Sequence, residues 1–126
     1  MGDAVVQVTV VTNGYSSRPN LVELTQGADS TDVRILLAHQ PSPGLVSWAS
    51  EAGYHLLTAG HTHGGQIVMN WWGEPFTPVL SETPFLTGIY RIKGLTVSVN
   101  NGLGFTAAPI RYHAPAEVTL LTLTRQ

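Results

Sequence analysis

An α/β fold built around a strand–helix–strand unit is predicted by three observations. Two short apolar runs, Val33-Arg34-Ile35-Leu36-Leu37-Ala38 and Tyr54-His55-Leu56-Leu57-Thr58-Ala59, have the length and content of buried strands. Between them, Leu45, Val46, Trp48, Ala49 and Ala52 recur at helical spacing within residues 44–52. Pro41 and Pro43 end the first strand, and Gly53 stops the helix. A strand, a helix and a second strand in one sheet imply parallel strands joined by a right-handed crossover. With 126 residues the chain suffices for one domain, 1–126, with one core.

The remaining elements follow in order. Residues 4–12 are rich in valine and threonine and read as a strand. Asn13-Gly14 is a turn dipeptide. Residues 18–26 suit a short helix after Pro19, and 27–32 a polar loop. Residues 67–87 hold Trp71-Trp72-Gly73-Glu74-Pro75 and three prolines, so they read as a long irregular loop with room for a short hairpin. Strands are expected at 88–92, 95–100 and 116–124, the last from the partial alternation of Val118-Thr119-Leu120-Leu121-Thr122-Leu123.

Composition narrows the function classes. Charged residues make up 11%, against about 25% in an average domain. Net charge is −2, and no Lys/Arg cluster exists, so no nucleic-acid specificity is expected. Without cysteine, disulfides and thiolate metal sites are excluded. No apolar run approaches the roughly 18 residues of a membrane span. The expectation is a soluble chain, with peripheral membrane contact left open.

Chemistry concentrates in Gly60-His61-Thr62-His63-Gly64-Gly65-Gln66. Side chains at i and i+2 of extended backbone point the same way, so His61 and His63 are expected to face one point or two neighbouring points. His39 ends the earlier apolar run. Parallel strands end on one edge of the sheet, where ligands of open α/β sheets bind. Topology therefore predicts that His39, His61 and His63 come close together. Imidazole suits zinc, iron and nickel and tolerates manganese.

Taken in order, Ile35-Leu36-Leu37-Ala38-His39-Gln40-Pro41, then Gly60 to Gln66, Asn101-Gly102-Leu103-Gly104, Pro109-Ile110-Arg111 and Ala116-Glu117-Val118-Thr119-Leu120 resemble the C-terminal half of a calcineurin-like metallophosphoesterase. Within that family the likeness is to a bacterial branch that includes membrane-associated phosphodiesterases. The resemblance runs from about Ser30 to the last predicted strand. It implies a partial calcineurin-like fold, half of a two-sheet β-sandwich flanked by helices, with a mixed sheet. It also implies a phosphate-ester substrate and a centre of divalent transition metals (manganese, iron, zinc or nickel). Two ions belong to the complete family site, and zero or one is expected in this chain. By resemblance His39 and His61 are ligands of the second metal and His63 a ligand of the first.

The family's upstream Asp-x-His, Gly-Asp-x-x-Asp and Gly-Asn-His motifs do not occur in this sequence. Asp3, Asn13, Asn20, Asp29 and Asp32 lack the right neighbours. The catalytic residues are therefore unassigned. The function expected is that of a phosphomonoesterase or phosphodiesterase, of which this chain carries the histidine half. The alternative is a truncated or degenerate, non-catalytic remnant binding at most one metal. The rest of the site would come from a missing N-terminal half, and an uncovered sheet edge or apolar face would favour self-association. Gln66 is a candidate substrate contact, or it simply finishes the turn. Trp71-Trp72 suits a substrate- or membrane-facing edge, or a packing cluster. Arg111 suits a phosphate contact or structural hydrogen bonds. Asn101 stands where the family often has arginine. His55 and His113 read as surface or packing residues.

Overall fold

The structure, a computed structural model, describes residues 4–12, 23–25 and 30–124. Its main sheet has five strands in the order β1 (Val6–Val11), β2 (Val33–Ala38), β3 (Leu56–Ala59), β7 (Leu95–Val99) and β6 (Gly88–Ile92). The first four of these run parallel, and β6 is antiparallel to β7. Helix α1 (Pro43–Glu51) joins β2 to β3. The predicted strand–helix–strand unit and the mixed sheet are therefore present.

The core lies between α1 and one sheet face. Register aligns Leu36 with Leu57, and Leu57 with Val97, in one row across β2, β3 and β7. All three are fully buried. Val46 and Ala49 of α1 cover them, with Leu95 and Val99 completing the cluster. Full burial of each such side chain contributes about 1.5–3 kcal/mol. Ser42 caps the helix by accepting the Leu45 N–H at 3.4 Å, and Pro43 follows where no N–H is needed. After the helix Gly53 turns with φ +75, and the Tyr54 N–H donates to the Ala49 carbonyl at 3.0 Å. That bond takes Tyr54 into the helix exit, which is why β3 starts two residues later than predicted.

Residues 23–25 form a single 3-10 turn, tied to the core by the Tyr54 hydroxyl, which donates to the Leu24 carbonyl at 3.0 Å. The rest of the helix predicted over 18–26 and the Asn13-Gly14 turn lie outside the described residues. The long loop does hold a hairpin, β4 (Met69–Trp71) paired with β5 (Glu74–Phe76), followed by a 3-10 turn at Pro78–Ser81.

The strand predicted at 116–124 does not form. Glu117 is pinned where its N–H donates to the Gly102 carbonyl at 3.1 Å. From there Val118 and Leu121 line a depression with Thr58 and Ser98, and Leu123 and Thr124 line another with Val6 and Val33. The segment thus crosses the sheet face instead of following a sheet edge, and crossing gives its backbone no ladder to join. Beneath it, Val6, Val8 and Val10 are 46, 54 and 61% exposed, so the second face of β1 carries an uncovered apolar row. Among the described residues no helix is long and apolar enough to cross a membrane.

Candidate metal centre

The site begins where two parallel strands stop. β2 ends at Ala38 and β3 at Ala59, and the Gly60 N–H donates to the His39 carbonyl at 3.1 Å just beyond them. This extension sets His39 beside the histidine loop. His39 Nε2 and His61 Nδ1 are 2.9 Å apart, with ring centroids separated by 4.7 Å. On the other edge of the same ring, His61 Nε2 lies 3.0 Å from Glu82 Oε2. Gln40 Nε2 donates to that oxygen at 3.1 Å.

His63 does not join the pair. Both His61 and His63 have left-handed backbone, with φ of +68 and +49. Between them Thr62 is helical, at φ −65 and ψ −19. The backbone is therefore not extended, and the i, i+2 rule that would aim both rings at one point does not apply. His63 still lines an open depression of about 390 Å³ with His61, Gly60 and Asn100. Among the described residues no three His, Asp or Glu side chains gather as a metal-binding group.

Left-handed φ at non-glycine residues costs of order 1–3 kcal/mol each and persists where surroundings impose it. Here hydroxyls impose it. Buried Thr62 donates through Oγ1 to the Leu86 carbonyl at 2.6 Å. Thr77 Oγ1 donates to the Gly65 carbonyl at 2.7 Å. Gly64 and Gly65 are required by space as well as by φ. A Cβ at Gly64 would sit 2.6 Å from Asn101 Oδ1, and one at Gly65 would sit 2.8 Å from Val68 Cγ2.

The neighbouring polar residues are occupied with backbone. Gln66 receives the Thr106 N–H at 2.6 Å and donates to the Thr106 and Ala108 carbonyls at 2.8 and 3.1 Å. Arg111 donates to the carbonyls of His63 and Ala114 at 3.2 and 3.0 Å, and to those of Asn101, Gly102 and Gly104. It is a clamp between two loops, which is the structural role foreseen for it. Asn101 is buried and donates to the Pro115 carbonyl at 3.0 Å, while its Oδ1 has no partner. His55 Nδ1 accepts the Arg34 N–H at 3.1 Å, and His113 stacks edgewise on Tyr112, both away from the pair. Trp71 and Trp72 form no packing cluster: they are 67 and 93% exposed on the hairpin.

Glu82 and Thr62 are the site residues that sequence reasoning missed. Thr62 sits inside the motif, flanked by the two histidines that drew attention. Glu82 lies 21 residues from His61 in a stretch with no motif, so only folding brings it there.

The donor set fits part of one ion's shell. Two imidazole nitrogens converge, but among the described residues no carboxylate faces the point they share. Two dications about 3.5–4 Å apart need anionic ligands to offset their repulsion. A complete two-ion centre therefore does not fit the described residues.

Comparison with known proteins bears on the same residues. The chain is 37% identical over 89 residues to an uncharacterized metallophosphoesterase of Bacillus subtilis. It is 35% identical over 108 residues to one of Helicobacter pylori, and 32% over 90 residues to a phosphodiesterase of Escherichia coli. These matches take in 71, 83 and 71% of this chain but only 30, 27 and 32% of those proteins. The chain thus spans about a third or less of the curated relatives it matches. No family model and no solved structure matches.

Proposed function

Because the chain belongs to the metallophosphoesterase family, we propose that it carries the histidine side of a phosphoester hydrolase's metal centre. His39 Nε2 and His61 Nδ1 would hold one divalent transition ion (manganese, iron, zinc or nickel). His63, in the same depression, would face a second ion. The carboxylate side would come from residues outside this sequence, in the N-terminal part of the same catalytic domain. The observation that carries this reading is the 2.9 Å convergence of two ring nitrogens at the carboxyl edge of parallel strands. A loop strained at His61 and His63 supports it, since such strain gathers at functional sites.

When bound, such ions act as Lewis acids toward the oxygens of a phosphate ester. The chain's own residues hold and shape the site. The Gly64-Gly65 turn lets backbone pass close to Asn101. Gln66 fixes Thr106–Ala108 beside the histidine loop with three hydrogen bonds, and through that loop would shape the substrate side of the site. The uncovered valine row of β1 offers a surface for the second half of a two-sheet domain.

A second reading, a non-catalytic chain holding at most one ion, is favoured by the lack of a three-donor group among the described residues. Elemental analysis and hydrolysis of a bis-aryl phosphate with added manganese test both readings. Our reading predicts one ion or none per isolated chain, with uptake abolished in His39→Ala and His61→Ala. Two tightly held ions would overturn the half-site and the single-ion reading alike. Hydrolysis by the isolated chain well above that of His61→Ala would overturn the non-catalytic reading.

A further inference from the structure

We propose that Glu82 is a positioning residue that holds His61 in the tautomer protonated at Nε2, turning a bare Nδ1 toward His39. The inference rests on the metal-site reading above and adds which nitrogen of each ring faces the ion. The two nitrogens of His61 lie on different ring edges, one 3.0 Å from Glu82 Oε2 and the other 2.9 Å from His39 Nε2. An ionised carboxylate can only accept hydrogen bonds. The hydrogen on neutral His61 therefore belongs on Nε2, and Nδ1 keeps its lone pair. The opposite tautomer would set that lone pair against the carboxylate and lose a charge-assisted bond. Only one hydrogen fits between the two imidazoles, so it belongs to His39 Nε2. With an ion held there, His39 would offer Nε2 and carry its hydrogen on Nδ1 instead. Glu82 is not itself a partner of that ion, because it lies on the far edge of the His61 ring.

What distinguishes Glu82 from an ordinary surface carboxylate is how it is held. Its side chain receives Gln40, the residue directly after His39, at 3.1 Å. Its N–H donates to the Val79 carbonyl at 2.9 Å. The next residue, buried Thr83, donates through Oγ1 to the Pro41 carbonyl at 2.7 Å. Glu82 is thus locked to the same turn that carries His39. As an exposed side-chain hydrogen bond it contributes little to stability. As the outer partner of a ligating histidine it governs affinity, and loss of such partners costs about 10- to 100-fold.

The test uses the full chain with labelled histidine, comparing wild type with Glu82→Ala and Glu82→Gln. Ring-nitrogen NMR is expected to show His61 protonated at Nε2 in wild type and a mixture of tautomers in Glu82→Ala. Glu82→Gln, whose amide oxygen still accepts, is expected to restore the wild-type pattern. Should Glu82→Ala misfold, the wild-type His61 tautomer and the ring nitrogen that zinc perturbs decide the proposal. Zinc is expected to perturb His61 Nδ1 and to bind about 10- to 100-fold more weakly to Glu82→Ala. An unchanged His61 tautomer in folded Glu82→Ala, or zinc on Nε2, overturns the proposal. A wild-type chain with the Glu82-dependent tautomer that takes up no zinc upholds the positioning role and sinks the metal reading instead.

Discussion

Gly64 concentrates the constraints of the histidine loop in one position. Its φ is +66, and its missing Cβ leaves the space taken by Asn101 Oδ1. Gly64→Ala is expected to destabilise the chain by about 1–3 kcal/mol, from φ strain plus displacement of a buried amide. Asn101→Ala in the same background should recover part of that loss, and urea unfolding of the double-mutant cycle would show the coupling. An additive cycle would mean that the amide is not what Gly64 accommodates. Thr62→Val is expected to cost about 1–3 kcal/mol by leaving the Leu86 carbonyl buried without its donor, read by the same titration. At this scale much of the site was legible. Two histidines between glycines after an apolar run marked the loop, and His39 was found from its place at a strand end. The aim of His63 was not legible, because periodicity assumes extended backbone and the loop is left-handed at both histidines. Nor was Glu82, whose role exists only once residues 77–86 fold back onto the Pro41 turn.

Among the elements, α1 and the strands it joins carry the stability. Leu57→Ala opens the middle of the Leu36–Leu57–Val97 row and is expected to cost about 2–5 kcal/mol. Ser42→Ala removes only a cap and should cost about 1 kcal/mol. A thermal melt that ranked these two in the opposite order would contradict the packing described. The boundaries of β2 and β6 match those read from the sequence, since apolar runs bounded by Pro, Gly or His mark a strand from within itself. The failed strand at 116–124 had the same local signal. Alternation records what a segment can pair with, whereas pairing needs a neighbouring edge, and this segment crosses the face of the sheet. Residues 67–87 show the converse: the short hairpin allowed for them forms, with a 3-10 turn after it, in a stretch whose three prolines spoke mainly of irregularity.

Across the molecule the two faces of the sheet are unequal. One is sealed by α1, and the other leaves Val6, Val8 and Val10 open, an arrangement that favours association of the free chain. The pair of substitutions Val8→Lys and Val10→Lys is expected to lower both self-association and dye binding by the isolated chain. Sedimentation with a fluorescent apolar probe would check this, and unchanged values would show that the row is covered in solution. The bond from Thr77 Oγ1 to the Gly65 carbonyl has a consequence of another kind. It closes the base of the excursion that carries the hairpin, so everything between those two residues begins and ends at fixed points. Changes confined to the hairpin, residues 69–76, would leave the histidines where they are. The tryptophan-bearing tip can thus vary in length and composition while the histidine turn keeps its place.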